Sequence, residues 1–312
     1  NAQSGDTFDG GAGNDTLTFS NTGDQLLSVL NTEYIHLAST GTNAYHLTGG
    51  SGNDSWTFSN SNSSNLLDLD GGAGTDSVTL FSGTHQISGL NNVESVNISG
   101  GSTNLILTTA ITGTPSFTST SSSAITLGGT AGNTISIASG SSVGSLTGSS
   151  GTDTVTLDSG ASVSNMSGIE NISASSASSN IGLVGGGQTV TLSGDMGTFT
   201  GGAGNDTLIF GSGGGTVTSA DGWETVIGGA GTDVITFLTG TNTMTVSGAI
   251  ESLTGGGTDT LTMTDSGVTL ASVAGVETIT GGAGNYYANV TDGSAVSLTG
   301  GCGNDTLIGG SG

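Results

Sequence analysis

The chain has 312 residues, 24 of them acidic and none of them lysine or arginine, so its net charge at pH 7 is −24. This balance excludes nucleic-acid binding, which depends on lysine and arginine contacts to phosphate, and no apolar run approaches the ~20 residues that membrane insertion needs. The single cysteine, Cys302, excludes an intramolecular disulfide and leaves a free thiol or an intermolecular bond. Because the chain begins at Asn1 without a signal peptide, we expect a processed or partial chain.

Glycine-rich turns that each carry one aspartate recur along the chain. The unit is Gly-Gly-x-Gly-(Asn/Thr)-Asp-x-hydrophobic, and it occurs at 10–17, 49–56, 71–78, 201–208, 228–235 and 300–307. Weaker copies lie at 128–135, 148–155, 255–261 and 281–288. The first of these has no aspartate and the last has Tyr286 in its place, so we expect both to lack a complete metal site.

In chain order, the repeats predict a single domain, residues 1–312, with three sections. Residues 1–94 and 153–312 are predicted to form calcium-binding coils, the second section being the more regular. Residues 95–152 contain no acidic residue and are rich in serine and threonine, with the only proline at Pro115. We expect this section to be a calcium-free part of the same structure and a contact face between subunits, with an insertion loop at 112–123 as the alternative.

A second row of acids is formed by glutamates, each of which follows an aspartate by about 18 residues, or two nonapeptides. The row consists of Glu94, Glu170, Glu224, Glu251 and Glu277. The best-ordered aspartate row steps through positions 206, 233, 259 and 286. Its interval, three nonapeptides, favours a three-strand coil of about 26–27 residues. A two-strand coil of about 18 residues is the competing register, and it would stack Asp233 on Glu251.

Short alternating runs such as Val234-Ile235-Thr236-Phe237 are typical of strands. Glycine and β-branched residues dominate, and no long stripe with the 3.6-residue helical period occurs. A repeat that cannot bury its own apolar face buries it by stacking on its neighbours. The sequence therefore predicts an all-β, right-handed parallel β-solenoid, either a β-helix or a β-roll.

Acids on successive coils would lie about 4.8 Å apart. Two carboxylates at that distance repel by about 1 kcal/mol in water and ~3–4 kcal/mol at an effective dielectric of 20, and no internal cation relieves this. Calcium would, because it accepts six to eight oxygens that include backbone carbonyls. The chain therefore predicts several bound Ca²⁺ ions, with three histidines and one cysteine too few and too scattered for zinc or copper.

The predicted metal ligands fall into three groups. The aspartates are Asp6, Asp9, Asp15, Asp54, Asp70, Asp76, Asp153, Asp206, Asp233, Asp259 and Asp305. The glycines that would present carbonyl oxygens are Gly10, Gly11, Gly13, Gly201, Gly202, Gly204, Gly228, Gly229, Gly231, Gly300, Gly301 and Gly303. Secondary candidates, with a solvated ladder at a strand end as the alternative, are Glu94, Glu224, Glu251 and Glu277. The histidines His36, His46 and His85 are expected to be packing or surface residues.

The motif Gly-Gly-x-Gly-x-Asp-x-hydrophobic-x resembles the nonapeptide of the RTX (repeats-in-toxin) family, a calcium-binding β-helix repeat. The wider pattern of Gly-Gly-Ala-Gly-Thr-Asp and Gly-Val-Glu-Thr-Ile-Thr units, separated by Ser/Thr-rich strands, is similar to RTX-type surface-layer proteins of Gram-negative bacteria. The resemblance implies type I secretion, calcium-dependent folding outside the cell, and assembly into a lattice on the bacterial surface.

The first functional prediction is a structural protein of an extracellular layer or filament that associates with copies of itself, with a cell-surface polysaccharide as a further candidate partner. The alternative is a binding module, an RTX adhesin or an ice- or carbohydrate-binding segment. Thr-x-Thr runs at 154–156, 243–245 and 260–262 are typical of hydroxyl ladders that bind ice, but also of ordinary exposed strands. An enzyme is not predicted, because no Ser-His-Asp, Cys-His or catalytic metal cluster is visible and an acidic substrate would find no cation.

Overall fold

The computed structural model describes residues 6–10, 16–19, 25–30, 34–37, 44–58, 66–119, 123–175, 179–185, 187–237, 240–264 and 267–311. This part of the chain contains 31 strands and no helix. It divides into two compact units, the first made of Asn1–Thr156 with Ala161–Ile169 and the second of Leu157–Gly160 with Glu170–Gly312. The prediction of an all-β solenoid is confirmed, because the strand pairs of each unit are parallel.

The strands of the first unit, with β14 ending at its boundary, are β1 (Asp6–Asp9), β2 (Thr16–Phe19), β3 (Gln25–Leu30), β4 (Tyr34–Leu37), β5 (Ala44–Thr48), β6 (Ser55–Phe58), β7 (Leu66–Asp70), β8 (Ser77–Asn91), β9 (Ser95–Leu107), β10 (Ser116–Ser119), β11 (Ser123–Thr126), β12 (Thr134–Ile137), β13 (Ser142–Thr147), β14 (Thr154–Leu157) and β15 (Ser162–Ser167). Those of the second unit are β16 (Asn171–Ser175), β17 (Asn180–Leu183), β18 (Thr189–Thr200), β19 (Thr207–Phe210), β20 (Gly214–Asp221), β21 (Thr225–Ile227), β22 (Thr232–Thr236), β23 (Thr243–Ser247), β24 (Ala249–Ile250), β25 (Ser252–Thr254), β26 (Thr260–Met263), β27 (Thr269–Ala274), β28 (Thr278–Gly281), β29 (Tyr287–Val290), β30 (Ser297–Thr299) and β31 (Thr306–Ile308).

Each coil contains two main strands, and the predicted 26–27-residue coil is wrong. The sequence separation between paired residues gives the length of one coil. Among the described pairs it is smallest at pairs such as Thr243↔Thr260 and largest at Tyr34↔Thr57, and even the largest separation is shorter than three nonapeptides. Strands pair with the second strand along the chain, so one ladder of the second unit runs β19–β21–β23–β26–β28–β30 and the other β20–β22–β25–β27–β29–β31. The competing two-strand register is therefore the observed one where the nonapeptides are most regular, as in Thr207↔Thr225.

The interval between successive aspartates has a physical explanation in the two-strand coil. Two nonapeptides make one coil, so the three nonapeptides from one aspartate to the next make one and a half coils. Successive aspartates of the row thus alternate between the two ladders: Asp206 and Asp259 precede β19 and β26 of one ladder, and Asp233 is the second residue of β22 in the other. The interval of about three nonapeptides is therefore the period of the sequence repeat and not the length of one coil.

The core of each unit lies between its ladders, because alternate strand residues point inward. The strand Ser55–Phe58 has the burial pattern exposed, buried, intermediate, buried, with Trp56 and Phe58 inside. In the second unit Phe199 and Trp223 meet edge to face, with ring centroids 4.8 Å apart, and the indole N–H of Trp223 donates to the carbonyl oxygen of Phe199. Apolar burial of this kind stabilises each coil against the next.

The acid-free section is built from paired parallel strands of the first unit. Ser116 of β10 pairs with Ser95 on one side and with Ser136 on the other. Residues 108–115 join β9 to β10 without a strand, and positions 120–122 of the proposed insertion loop lie outside the described residues. Whether this section is free of calcium stays a prediction. No helix that could span a membrane is found among the described residues.

Candidate metal centre

Six of the predicted aspartates hold their side chains inside the turns and are at most 7% exposed: Asp54, Asp76, Asp153, Asp206, Asp233 and Asp259. Asp6, Asp70 and Asp305 are half-buried and Asp9 is exposed, while Asp15 lies outside the described residues. Asp70 closes its turn differently, accepting from the backbone N–H of Gly72 and the side-chain amide of Asn92. A buried aspartate without a cationic neighbour is costly, so these six positions need an explanation.

The glutamate row lies directly against the aspartate row. In four places the backbone N–H of an aspartate donates to Oε2 of the glutamate one coil later, at 2.7 Å each time. The pairs are Asp76 with Glu94, Asp206 with Glu224, Asp233 with Glu251 and Asp259 with Glu277. Each glutamate therefore has a defined role as the acceptor for a turn N–H, and is not a freely solvated strand end.

The aspartates make the same contact to the coil before them. The backbone N–H of Gln188 donates to Oδ1 of Asp206 at 2.6 Å, and that of Asn242 donates to Oδ1 of Asp259 at 3.1 Å. The side-chain amide of Asn242 adds a second bond to the same oxygen at 2.7 Å. The result is a three-step ladder of amide residue, aspartate and glutamate on consecutive coils.

The amide step was not assigned a role by sequence reasoning. In the first unit the backbone and side-chain N–H groups of Asn133 both donate to Oδ1 of Asp153, at 2.7 and 2.8 Å. The available signal was spacing, because Gln188, Asn242 and Asn133 each precede their aspartates by one coil. These residues orient the carboxylates and are not themselves predicted ligands.

Four of the turn aspartates each leave one buried oxygen without a hydrogen-bond partner among the described residues: Oδ2 of Asp76, Asp206 and Asp259, and Oδ1 of Asp233. The other oxygen of Asp233 accepts from the backbone N–H of Gly229 at 2.6 Å, and the N–H of Gly215 also faces that carboxylate. Unsatisfied buried oxygens of an acid are rare and point to a bound cation or water.

Glycines let carbonyl oxygens approach these carboxylates. A Cβ on Gly255 would lie 2.3 Å from Oδ2 of Asp259 and 2.3 Å from the carbonyl oxygen of Gly275 on the next coil. A Cβ on Gly201 or Gly228 would lie 1.8 Å from the carbonyl oxygen of the following coil. The backbone thus brings a carbonyl and a carboxylate oxygen together in a space that a side chain would fill.

The remaining predicted glycines lie in the equivalent turns. Gly204 has φ +116°, a conformation that L side chains rarely adopt, and similarly positive values occur at Gly202, Gly231, Gly301 and Gly303. Gly300 is the first glycine of its turn and Gly229 the second of its own, and neither has a positive φ. Gly10 follows β1. Gly11 and Gly13 lie outside the described residues.

The electrostatics of the turns oppose ionisation in the absence of a cation. Burial raises the pKa of Asp206 and Asp233 above the ordinary value of 3.8, and the adjacent Glu224 and Glu251 carboxylates raise it further. The pKa of Asp76 is raised in the same way, by burial first and then by Asp54, Glu94 and Asp70. The N–H donors lower these pKa values but do not compensate fully.

The oxygen set fits calcium. Among the described residues no three carboxylate, imidazole or thiol side chains converge, so an ion would take most of its ligands from turn carbonyls and one or two from aspartate. Calcium tolerates such mixed oxygen sets, whereas magnesium requires a tighter octahedron and retains its waters. The residues that would hold the ions are the buried aspartates and the glycine turns that precede them.

Replacing Asp233 with asparagine is expected to have opposite effects with and without calcium. A raised native pKa stabilises the protein below pH 3.8, and this stability is lost as the pH rises through the native value. In EGTA at neutral pH, where the calcium-free chain is expected to be largely unfolded, Asp233→Asn should therefore keep more β-structure by circular dichroism than the parent, and the difference should vanish near pH 3.8. In calcium the variant should melt lower. A variant with less β-structure than the parent in EGTA at every pH would contradict the expectation.

Two variants of Glu251 distinguish its role as a hydrogen-bond acceptor from a role as a calcium ligand. Gln keeps an oxygen for the Asp233 N–H, whereas Ala leaves that group unpaired at a cost of about 1–3 kcal/mol. Glu251→Ala should therefore lower the free energy of unfolding in saturating calcium clearly more than Glu251→Gln does. Equal losses in both variants, each with weaker calcium binding, would instead identify the charge of Glu251 as an ion ligand.

The described histidines lie on strands and not in these turns, whereas Cys302 lies within the glycine turn that precedes Asp305. His85 is buried, which lowers its pKa, and its Nε2 contacts the carbonyl oxygen of Phe81 at 2.7 Å. His46 pairs with Asp68 at 2.6 Å on the surface of β5 and β7. The side chain of His36 lies outside the described part, and Cys302 is an exposed free thiol. None of the described histidines approaches a buried turn aspartate.

A parallel solenoid with buried aspartates in glycine turns is the architecture of a calcium-binding repeat protein. A family model described as the RTX calcium-binding nonapeptide repeat matches the chain in four copies, at residues 4–26, 198–217, 219–244 and 292–312. The chain therefore carries RTX calcium-binding repeats on a β-solenoid. The copies at 49–56 and 71–78 share the pattern without being matched. No curated protein and no solved structure is significantly similar to the chain.

RTX repeats imply calcium binding and are typical of secreted extracellular bacterial proteins. Solenoids of this kind are generally structural or toxin-like and not enzymes.

Proposed function

We propose that the protein is a secreted, calcium-stabilised structural building block that assembles with copies of itself into a layer or filament at the bacterial surface. The observation that carries this is the set of four buried turn-aspartate oxygens without a partner among the described residues, two of which, in Asp76 and Asp259, border the same glycine position as a turn carbonyl oxygen. A chain with 24 acids and no lysine or arginine takes its counter-cations from its surroundings.

Calcium dependence also supports the proposed route of export. A cell keeps cytosolic calcium low, so the repeats stay unfolded until they leave the cytoplasm, which suits a type I channel that passes extended chains. Outside, the ions bind and fold the coils. The same ions cancel the negative charge that would otherwise keep two copies apart.

The contact between copies is proposed to lie on the acid-free section, 95–152, because repulsion is least where charge is absent. Its strands place serine, threonine and asparagine at half-buried positions of their outward faces, as at the paired Asn97 and Thr118. Two such faces can pack together without burying charge. They can also contact the hydroxyl groups of a cell-surface polysaccharide. No exposed aromatic side chain that could stack on a sugar ring is found among the described residues of section 95–152. Assembly with a second copy is the preferred use of this face.

Assembly is expected to depend on calcium and on the acid-free section. Light scattering and negative-stain microscopy should show ordered particles in millimolar calcium but not in sodium at equal ionic strength, since salt screens charge without bridging it. Thr147→Asp places an acid at an exposed position of β13 within the acid-free section and should reduce assembly. Thr198→Asp, at an exposed position of β18 outside that section, is the matched control and should not. A monomer in calcium at high concentration would contradict the proposal.

A second candidate function, ice binding, is favoured by the register of threonines in the second unit. Thr189, Thr207, Thr225, Thr245, Thr262, Thr280 and Thr299 follow one another in register along one ladder. A parallel row two residues away contains Thr243, Thr260, Thr278 and Ser297. The grid repeats at about 4.8 Å across the strands and about 6.6 Å along them, a regular array of hydroxyl groups of the kind that could order water.

The ice-binding candidate has its own test. The protein in calcium should inhibit ice recrystallisation, and Thr262→Lys at the centre of the grid should abolish the effect. Thr198→Lys, outside the grid, should leave it intact. Absence of inhibition by the folded parent would remove this candidate and leave the structural proposal unchanged.

A further inference from the structure

The turn at 281–287 departs from the others, because Tyr286 replaces the buried aspartate. Its side chain is 2% exposed, and it sits in the ladder β27–β29–β31 just before β29. The backbone N–H of Tyr286 donates to Oδ1 of Asp305 at 3.0 Å, the same contact that Gln188 makes to Asp206. The backbone of this turn is therefore that of an ordinary repeat, and only the side chain differs.

The tyrosine side chain lies across its own glycine turn. Its hydroxyl oxygen accepts from the backbone N–H of Gly284 at 3.1 Å. A Cβ on Gly281 would lie 2.7 Å from ring carbon Cδ2, and one on Gly282 would lie 3.2 Å from the hydroxyl oxygen. In the aspartate turns a carboxylate oxygen accepts from an earlier residue of the turn, four positions before the aspartate, as for Gly229 N–H and Asp233.

The chemistry of the phenol is unlike that of the carboxylate it replaces. It brings no negative charge at neutral pH, and its one oxygen already accepts a turn N–H. The ring also fills the space beside the Cα of Gly281, and in the aspartate turns the equivalent space beside Gly255 or Gly71 borders an unpartnered carboxylate oxygen, of Asp259 or Asp76. The turn has neither the charge nor the space that a calcium ion requires.

We propose that Tyr286 closes the 281–287 turn in place of calcium, so that this coil is a metal-independent step within a calcium-dependent stack. This inference rests on the proposed calcium binding of the other turns. In a solenoid each coil contacts only its neighbours. A coil that is ordered without metal therefore provides a template on which the adjacent coils fold when calcium binds. The neighbours on either side, β27 and β31, would be the first to gain order.

Two variants test the proposal: Tyr286→Asp restores the repeat, and Tyr286→Phe removes only the hydroxyl. Calcium stoichiometry, measured by titration calorimetry and native mass spectrometry, should rise by one ion per chain in Tyr286→Asp and stay at the parental number in Tyr286→Phe. In EGTA, amide hydrogen exchange of residues 278–290 should be slower in the parent than in Tyr286→Phe.

The outcomes separate this proposal from the proposed function. No additional ion in a folded Tyr286→Asp protein would overturn the role of Tyr286, whatever the parent binds. Exchange of 278–290 in EGTA that is as fast in the parent as in Tyr286→Phe would also overturn it. A parent that binds no calcium, with one ion in Tyr286→Asp, would support the role of Tyr286 and contradict the calcium-stabilised structural function.

Discussion

Removing calcium is expected to unfold most of the protein. Each ion that binds only the native state at 100 times its dissociation constant stabilises it by about 2.7 kcal/mol, so two or three ions contribute about 5–8 kcal/mol. This is comparable with the whole free energy of unfolding of a typical domain, about 5–15 kcal/mol. Circular dichroism should therefore show β-structure in millimolar calcium and a largely disordered chain in EGTA.

Magnesium at the same concentration is the control for this experiment, because it supplies the same charge with a stricter geometry. We expect magnesium to restore little of the β-structure. A chain with the same spectrum and melting temperature in EGTA and in calcium would contradict the expectation, since the buried carboxylates would then be tolerated without an ion.

Replacing Gly228 with alanine is expected to be among the most destabilising additions of a single methyl group in the turns. The added Cβ would lie 1.8 Å from the carbonyl oxygen of Ala249, which belongs to the backbone and cannot rotate away. The N–H of Gly228 also donates to the carbonyl oxygen of Ser247, so a shift of the turn would break that bond. Overpacking of this kind costs about 1–3 kcal/mol, and we expect at least the upper value in calcium.

Gly213→Ala is the matched control for Gly228→Ala. Gly213 lies in the same unit and is exposed, and an added Cβ would meet no atom within 4 Å. Its melting temperature in calcium should equal that of the parent, whereas Gly228→Ala should melt clearly lower and bind calcium more weakly. Equal melting temperatures for the two variants would show that the turns are less closely packed than their geometry indicates.

The strands and turns could be predicted from the sequence because their rules are local. Alternation places Ile235 and Phe237 in the core, and the Gly-Gly-x-Gly turn with its aspartate sets where each strand begins. The resemblance of the same motif to the RTX nonapeptide predicted that the repeats bind calcium. Both parts of the prediction depend on residues that are close in the sequence.

The coil length could not be predicted, because it depends on which strands meet in space. Nonapeptides fit two to a coil or three to a coil equally well, and the interval between aspartates is the same in both. The contact between Asp233 N–H and Glu251 decides in favour of two, and it also gives the glutamate row its role. The amide partners Gln188 and Asn133 were missed for the same reason, since they act across coils.

The buried aspartates of the glycine turns are expected to hold calcium. The most direct measurement is a crystal or cryo-electron microscopy structure of the calcium-saturated protein, with anomalous scattering or a lanthanide substitute to identify the ions. We predict cations beside Asp206, Asp233 and Asp259, each within about 2.6 Å of a carboxylate oxygen and of glycine-turn carbonyls. Well-ordered turns in which these three carboxylates contact only N–H groups and water would contradict the claim.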